Sequence, residues 1–214
     1  MLFLPREFFR RDPLVCAREL IGCELFWGEC AGRVVETEAY AAVGDEACHA
    51  AFRPSTRLFM ACNVPGTAYV YFNYGVHWML NVLVKGNDQE EATPENGIVL
   101  IRAIEPTRGL ALMRQRRGRE PLRDLCSGPG KLAQAFGITG ADHCLDLAAA
   151  GSNAGFRPRS GPVEVETDCR VGISRSAELP WRFLLKGSTY VSVPAGKARK
   201  EPKNKRPDRE TVWP

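Results

Sequence analysis

Glu36 and Glu38 alternate along one short run, Tyr40 follows two positions later, and Asp45, Glu46 and His49 come soon after. These residue types can take a proton from water, stabilise a cation, or present a flat ring with a hydrogen-bonding edge. The run Arg33-Val34-Val35-Glu36-Thr37-Glu38-Ala39-Tyr40 is rich in β-formers. Period-two geometry puts Val34, Glu36, Glu38 and Tyr40 on one face and Val35, Thr37 and Ala39 on the other. Two carboxylates on one strand face are costly to bury without partners. That face therefore meets water, or meets polar groups that need it. The plainer alternative is a sheet-edge face of salt bridges. Cys48 beside His49 suggests a nucleophile–base pair, but neighbouring residues of a strand or loop usually point apart. Asp45, Glu46 and His49 also leave open a metal-assisted hydrolase.

The elements that must position these groups can be read in order. Asp12-Pro13 is an N-cap followed by proline at the first helical position. Leu14, Ala17, Leu20 and Ile21 recur at helical spacing and Gly22 can close the helix. A strand over 23–27, a turn at Trp27-Gly28-Glu29 and the Glu36–Glu38 strand follow. Residues 54–57 read as a loop. Residues 58–84 carry no Asp, Glu, Lys or Arg and are long enough to span a bilayer. Asn63, Pro65, Gly66, Asn73, Gly75 and His77 would break a spanning helix, so the stretch reads as buried sheet. Within it, two strands join near Tyr74-Gly75, with Tyr69, Tyr71 and Asn73 on one face and Val70 and Phe72 on the other. Tyr74 then falls at a hairpin tip, where core packing does not explain an aromatic ring. Residues 110–117 read as a helix ending in Arg114, Arg116 and Arg117. Ser127-Gly128-Pro129-Gly130-Lys131 reads as a loop opening a helix stopped at Gly137, whose free amides suit a phosphate. Residues 142–162 read as loop, and 162–171 and 181–193 as further strands.

Composition bounds the class. The chain has 214 residues, 44% hydrophobic and 25% charged, as expected of a globular protein. No basic start with an apolar core and cleavage site is evident, so no secretory signal is expected. The eight cysteines include no C-x-x-C pair, which argues against a structural zinc site or a disulfide framework. Charge is uneven. Residues 195–214 hold seven Lys/Arg against three acids, and residues 102–131 hold eight against three, whereas residues 1–101 hold eight against thirteen. A positive sector and a positive tail suit a polyanion. The tail from Gly196 has too few apolar residues to fold and is expected to be disordered.

Five blocks in order carry a resemblance: Val35-Glu36-Thr37-Glu38-Ala39-Tyr40 with Asp45-Glu46-Ala47 and His49; Gly66-Thr67 through Tyr69-Val70-Tyr71, Tyr74-Gly75 and Asn81; Leu100-Ile101-Arg102-Ala103-Ile104-Glu105-Pro106; Leu125-Cys126-Ser127-Gly128-Pro129-Gly130-Lys131-Leu132; and Arg170-Val171-Gly172-Ile173. The chain resembles the alkyladenine (3-methyladenine) DNA glycosylase family over most of residues 8–193. The resemblance implies an α+β fold: a single mixed domain over 1–194 with a curved, largely antiparallel sheet, a protruding β-hairpin and surrounding helices, then the tail over 195–214. It implies a monofunctional enzyme that flips alkylated or deaminated purines out of double-stranded DNA and hydrolyses the N-glycosidic bond. The runner-up is a non-catalytic protein that binds damaged DNA.

Residue by residue, Glu38 matches the general base and Arg102 a polar partner beside the catalytic water. Tyr40, His49 and Tyr71 match residues that sandwich the extruded base, and Asn81 one that disfavours guanine. Ala47, His49 and Val171 match positions whose backbone bonds the base or water. Tyr74 matches the wedge that fills the vacated stack. Arg114, Arg116, Arg117 and Lys131 are candidate phosphate contacts. No cofactor, metal or membrane is expected, and a monomer is. A bacterial-type member would work in the cytoplasm and nucleoid, a eukaryotic one in the nucleus. Phe72-Asn73 is more polar than the pair expected before the wedge.

Overall fold

Asp12 starts the first helix as its sequence suggests: its carboxylate accepts from the amides of Leu14 and Val15 at 2.8 and 3.2 Å, and Pro13 occupies the first turn. The computed structural model describes residues 3–86 and 95–198. Among these, the helices are α1 (Pro13–Leu20), α2 (His49–Phe52), α3 (Pro54–Cys62), α4 (Leu110–Arg117), α5 (Leu122–Cys126) and α6 (Pro129–Phe136). The strands are β1 (Glu24–Trp27), β2 (Cys30–Ala41), β3 (Ala68–Asn73), β4 (His77–Lys85), β5 (Asn96–Arg108), β6 (Ala154–Arg157), β7 (Val165–Asp168) and β8 (Arg182–Leu185). The fold is α+β, built on a curled antiparallel sheet. Its strand order is β3-β4-β5-β2-β1-β6, and β8 adds to β2 with β7 beyond it.

The two long strands β2 and β5 form the spine, and their pairing shifts register at three places, two of which compensate each other around Glu36. Val34 opposes Ile104, Glu36 opposes Ala103 and Thr37 opposes Ile101. Val35 on β2 and Arg102 on β5 therefore have no partner opposite them in this pair. The inserted residues reverse the side-chain alternation. Val34 and Ala39 both enter the main core with Leu20, Val70, Leu80, Ile101, Ile104, Leu132 and Phe136. Thr37 faces the same way and donates to the Ala17 carbonyl at 2.8 Å. Val35, by contrast, packs with Ala103, Leu184 and Val191 on the other side. The strict period-two reading put Val34 with the two glutamates; the bulge separates them. The edge-strand alternative is also overturned, because β2 lies inside the sheet and Glu36 and Glu38 are fully buried.

Several other boundaries differ from the sequence reading. Residues 54–57 are the first turn of α3, and the helix takes the start of the apolar run 58–84. Pro54 is acceptable at a helix start, and Thr56, Phe59 and Met60 are buried at helical spacing. β6 lies within the presumed loop 142–162 and pairs with β1. β7 and β8 cover only part of the expected strands; the residues beyond them leave the sheet to deliver Arg170 and Ser192 to buried partners. Of the basic tail, residues 199–214 lie outside the described residues.

Candidate active site

Glu38 projects from β2 with three donors on its two oxygens. Oε1 accepts from the Val171 amide at 2.7 Å. Oε2 accepts from the Tyr40 hydroxyl at 2.8 Å and from Arg102 Nη1 at 3.1 Å. Arg102 reaches it from the β5 bulge and also donates from Nε to Glu36 Oε1 at 3.0 Å. Arg182 stands 3.5 Å from Glu36 and donates to the Val193 carbonyl at 2.8 Å. Burial works against the Arg102 charge, but Glu38 and Glu36 more than offset it and raise its pKa. Buried ions cost several kcal/mol each unless paired in good geometry. Here two carboxylates share one guanidinium, and the second guanidinium completes the pairing of Glu36.

Around this centre the sheet supplies a row of neighbours. Tyr69 opposes Asn81, Asn81 opposes Leu100, and Leu100 opposes Glu38. One ladder thus sets Asn81 two strands from Glu38, or about 10 Å. Asn81 is buried and donates from Nδ2 to the Tyr69 carbonyl at 3.1 Å. Tyr40, Tyr71 and Ala47 belong to the apolar cluster on this face. Burial, then the charge of Glu38, raises the Tyr40 pKa well above its usual value, so the hydroxyl stays protonated and can donate.

His49 begins α2 and is partly buried. Its ring meets Tyr71 edge-on, with centroids 4.5 Å apart. Its Nδ1 lies 3.1 Å from the Tyr69 hydroxyl, which lies 2.9 Å from Thr56 Oγ1. Burial, with a smaller push from Arg53, lowers the His49 pKa to about 3. The imidazole is therefore neutral at physiological pH. Burial raises the Tyr71 hydroxyl in turn.

A buried bidentate pair fixes the loops beside this cluster. Arg170 donates to both oxygens of Asp45 at 2.6 and 2.8 Å, and to the carbonyls of Ala39 and Ser176. Its guanidinium also lies over the Tyr40 ring, 4.6 Å from the centroid. The Ala47 amide donates to Asp45 at 3.0 Å. These contacts overturn the metal reading of Asp45, Glu46 and His49. Arg170 holds Asp45, Glu46 is exposed, and His49 Nδ1 faces Tyr69. The Cys48 thiol is fully closed off from solvent, which tells against the nucleophile–base pair, and burial pushes it up to about 12.

At the far end of β3, Tyr74 stands 88% exposed at the hairpin tip, flanked by exposed Phe72 and Val76. Tyr74 and Gly75 both have positive φ, at 50° and 67°, and the Val76 amide closes the turn onto the Asn73 carbonyl at 3.0 Å. The hairpin near its tip lies against α6. A Cβ on Gly130 would come within 2.7 Å of the His77 ring, so only glycine permits this approach. Lys131, beside it, reaches Ser127 Oγ at 3.4 Å. The α4 arginines have partners within the fold: Arg114 on the Glu120 carbonyl, Arg116 on the Ala135 carbonyl, and Arg117 on the Gln134 side chain. They brace α4 against α6 and the α4–α5 turn.

Sequence reasoning singled out eight of the gathered residues: Glu38, Tyr40, Ala47, His49, Tyr71, Asn81, Arg102 and Val171. It missed the roles of Arg170, Thr56 and Ser192. For Ser192 the one local signal was a polar residue between two valines. Nothing local foretold that Arg170 would span the fold to Asp45.

The family model described as "Methylpurine-DNA glycosylase (MPG)" matches residues 7–189. A protein of Rhodopseudomonas palustris is 46% identical over 191 residues, 89% of this chain and 88% of its own length. One of Rhizobium etli is 42% identical, covering 88% of each chain. One of Agrobacterium fabrum is 41% identical, covering 88% of this chain and 92% of its own. All three bear the name "Putative 3-methyladenine DNA glycosylase". No helix among the described residues is long and apolar enough to cross a membrane.

Proposed function

The chain belongs to the methylpurine-DNA glycosylase family and is a DNA N-glycosylase of base-excision repair, and on that premise we propose that Glu38 readies water for attack on C1′ of an everted, damaged purine nucleotide. The observation that carries this reading is the state of Glu38: fully buried and held by Tyr40, Arg102 and Val171, with the Tyr40 ring in the same apolar cluster as Tyr71, which meets His49. As the bond from C1′ to the purine nitrogen breaks, the base leaves with the bonding electrons and the sugar becomes oxocarbenium-like. The anionic Glu38 stabilises that charge and takes the proton of the attacking water. Arg102 holds the carboxylate in place.

A base inside a duplex is out of reach, so the lesion must be extruded at a cost of a few kcal/mol. Stacking against Tyr40, Tyr71 and His49 returns about 1–3 kcal/mol per base. Neutral His49 can stack on a cationic alkylpurine without repulsion. Asn81 limits the slot towards guanine, and the Ala47, His49 and Val171 backbones orient base and water. Tyr74, with Phe72 and Val76 beside it, fills the gap in the stack. Lys131 and the α6 amides, next to His77 near the hairpin tip, take a phosphate, with Arg114, Arg116 and Arg117 adding positive field. The protein acts as a monomer on double-stranded DNA near the nucleoid, and its basic tail adds nonspecific affinity.

The test is single-turnover release of base from duplexes carrying 3-methyladenine or hypoxanthine, with chelator present. Wild type should leave an abasic site and Glu38→Gln should bind without release. Comparable turnover by Glu38→Gln would overturn the assignment.

A further inference from the structure

We propose that Ser192 is a positioning residue that holds Arg102 on Glu38, making the chain beyond the matched family model part of the working site. This rests on the reading of Glu38 and Arg102 given above. Arg102 lies in a bulge without a cross-strand partner in β2, so its side-chain contacts fix its place. It is shared by two carboxylates, and it can serve Glu38 only if Glu36 is satisfied by other donors. Ser192 supplies them. Its amide donates to Glu36 Oε2 at 2.6 Å and its hydroxyl to Oε1 at 2.9 Å. The same oxygen accepts from Arg102 Nη2 at 3.2 Å. Ser192 thus donates to the competing anion and accepts from the shared cation.

The segment carrying Ser192 is anchored on both sides. Val191 packs with Val35, Ala103 and Leu184, the first of them the bulged residue of β2. Val193 accepts from Arg182, and the Gly196 amide donates to Asp168 at 2.9 Å. Val191 to Gly196 therefore forms a strap along the face of β2 that carries Glu36 and Glu38. The family match ends at residue 189, before the strap begins.

Ser192→Ala leaves Arg102 Nη2 without an acceptor and Glu36 short of a donor, so Arg102 turns towards Glu36 and loosens on Glu38. Single-turnover release at saturating enzyme should fall about tenfold, as for loss of a hydrogen bond to a charged group. Lesion-DNA affinity should stay within about twofold, because the change is confined to the chemical step. Ser192→Thr, which keeps the hydroxyl, should restore the rate. In an Arg102→Gln background, Ser192→Ala should cost nothing further; a merely structural serine would cost the same in both backgrounds. A full rate in Ser192→Ala, or an undiminished loss beside Arg102→Gln, overturns the proposal. If Ser192→Ala cannot be isolated folded, Ser192→Cys, similar in shape but a weak hydrogen-bonder, should still be slowed, and a full rate there is equally fatal. Glu38→Gln separates the two claims. If it cleaves normally, the general-base reading has failed; if it is inactive while Ser192→Ala is fully active, only the strap has failed.

Discussion

His49 offers a quantitative test of the proposed aromatic slot. Its folded pKa is depressed to about 3 by burial, whereas an unfolded histidine titrates near 6.5. Below that pH the unfolded chain takes up a proton that the folded chain refuses. The stability that neutral His49 allows is therefore intact above about pH 6.5 and is lost progressively as the pH falls towards 3. Between pH 7 and pH 5 the loss from this one residue comes to about 2 kcal/mol. The perturbation is His49→Phe, which keeps a ring against Tyr71 but removes the titration. Urea unfolding at pH 7 and pH 5 supplies the assay, with the slope monitored for two-state behaviour. The variant starts less stable, since the Tyr69 hydroxyl keeps only Thr56 of its two partners, so the comparison is the change with pH. Wild type should lose about 2 kcal/mol more than His49→Phe over that interval. Equal losses would refute the claim that the imidazole is held neutral, and with it the account of how the slot tolerates a cationic base.

Three further outcomes follow from the contacts. Glu38→Gln should lower single-turnover cleavage by a factor of about 10²–10⁴ while leaving lesion binding in place, measured by quench-flow and by anisotropy. Tyr74→Ala removes an exposed ring without touching the core. It should weaken capture of lesion duplex by about 1–3 kcal/mol and leave cleavage at saturating enzyme nearly unchanged; equal effects on both would contradict the wedge role. Asp45→Ala strands the fully buried Arg170, so stability should fall by about 3–5 kcal/mol. A melting temperature within a degree or two of wild type would show that the pair is dispensable.

The sequence was most legible where a single local rule decides the outcome. Asp12-Pro13 caps α1, Gly137 stops α6, and Tyr74-Gly75 turns the hairpin, each because one residue's chemistry settles the local backbone. It was least legible where tertiary pairing decides. Alternation along 33–40 cannot reveal that Val35 is bulged, because the bulge is defined by the partner strand some 65 positions away. Pro54 looked like a loop residue because a proline marks a turn as readily as a helix start. Among the site residues, those within the Glu36–His49 run and the β3–β4 hairpin could be collected by spacing and by family resemblance. Arg170 stood in the fifth block without a role and Ser192 in none: each is a single polar residue whose value comes from a buried partner far along the chain.

The paired bulges let one sheet carry two buried glutamates on one face and still return Val34 and Ile104 to the main core. In a regular β2–β5 ladder, β5 residues would strictly alternate between faces, and the residue after Ile101 and the one before Ile104 would point opposite ways. The extra residue on each strand lets Ile101 and Ile104 both enter the main core, while Arg102 turns with Val35, Glu36 and Glu38 to the other side. The cation that neutralises the carboxylates thus comes from the strand beside them, on the face it shares with Leu100, which lies opposite Glu38. Its contacts with Glu36, Glu38 and Ser192 hold it there. Two buried carboxylates and their counterion are thereby met on one face of the sheet, while the residues beyond the bulges go on packing the main core.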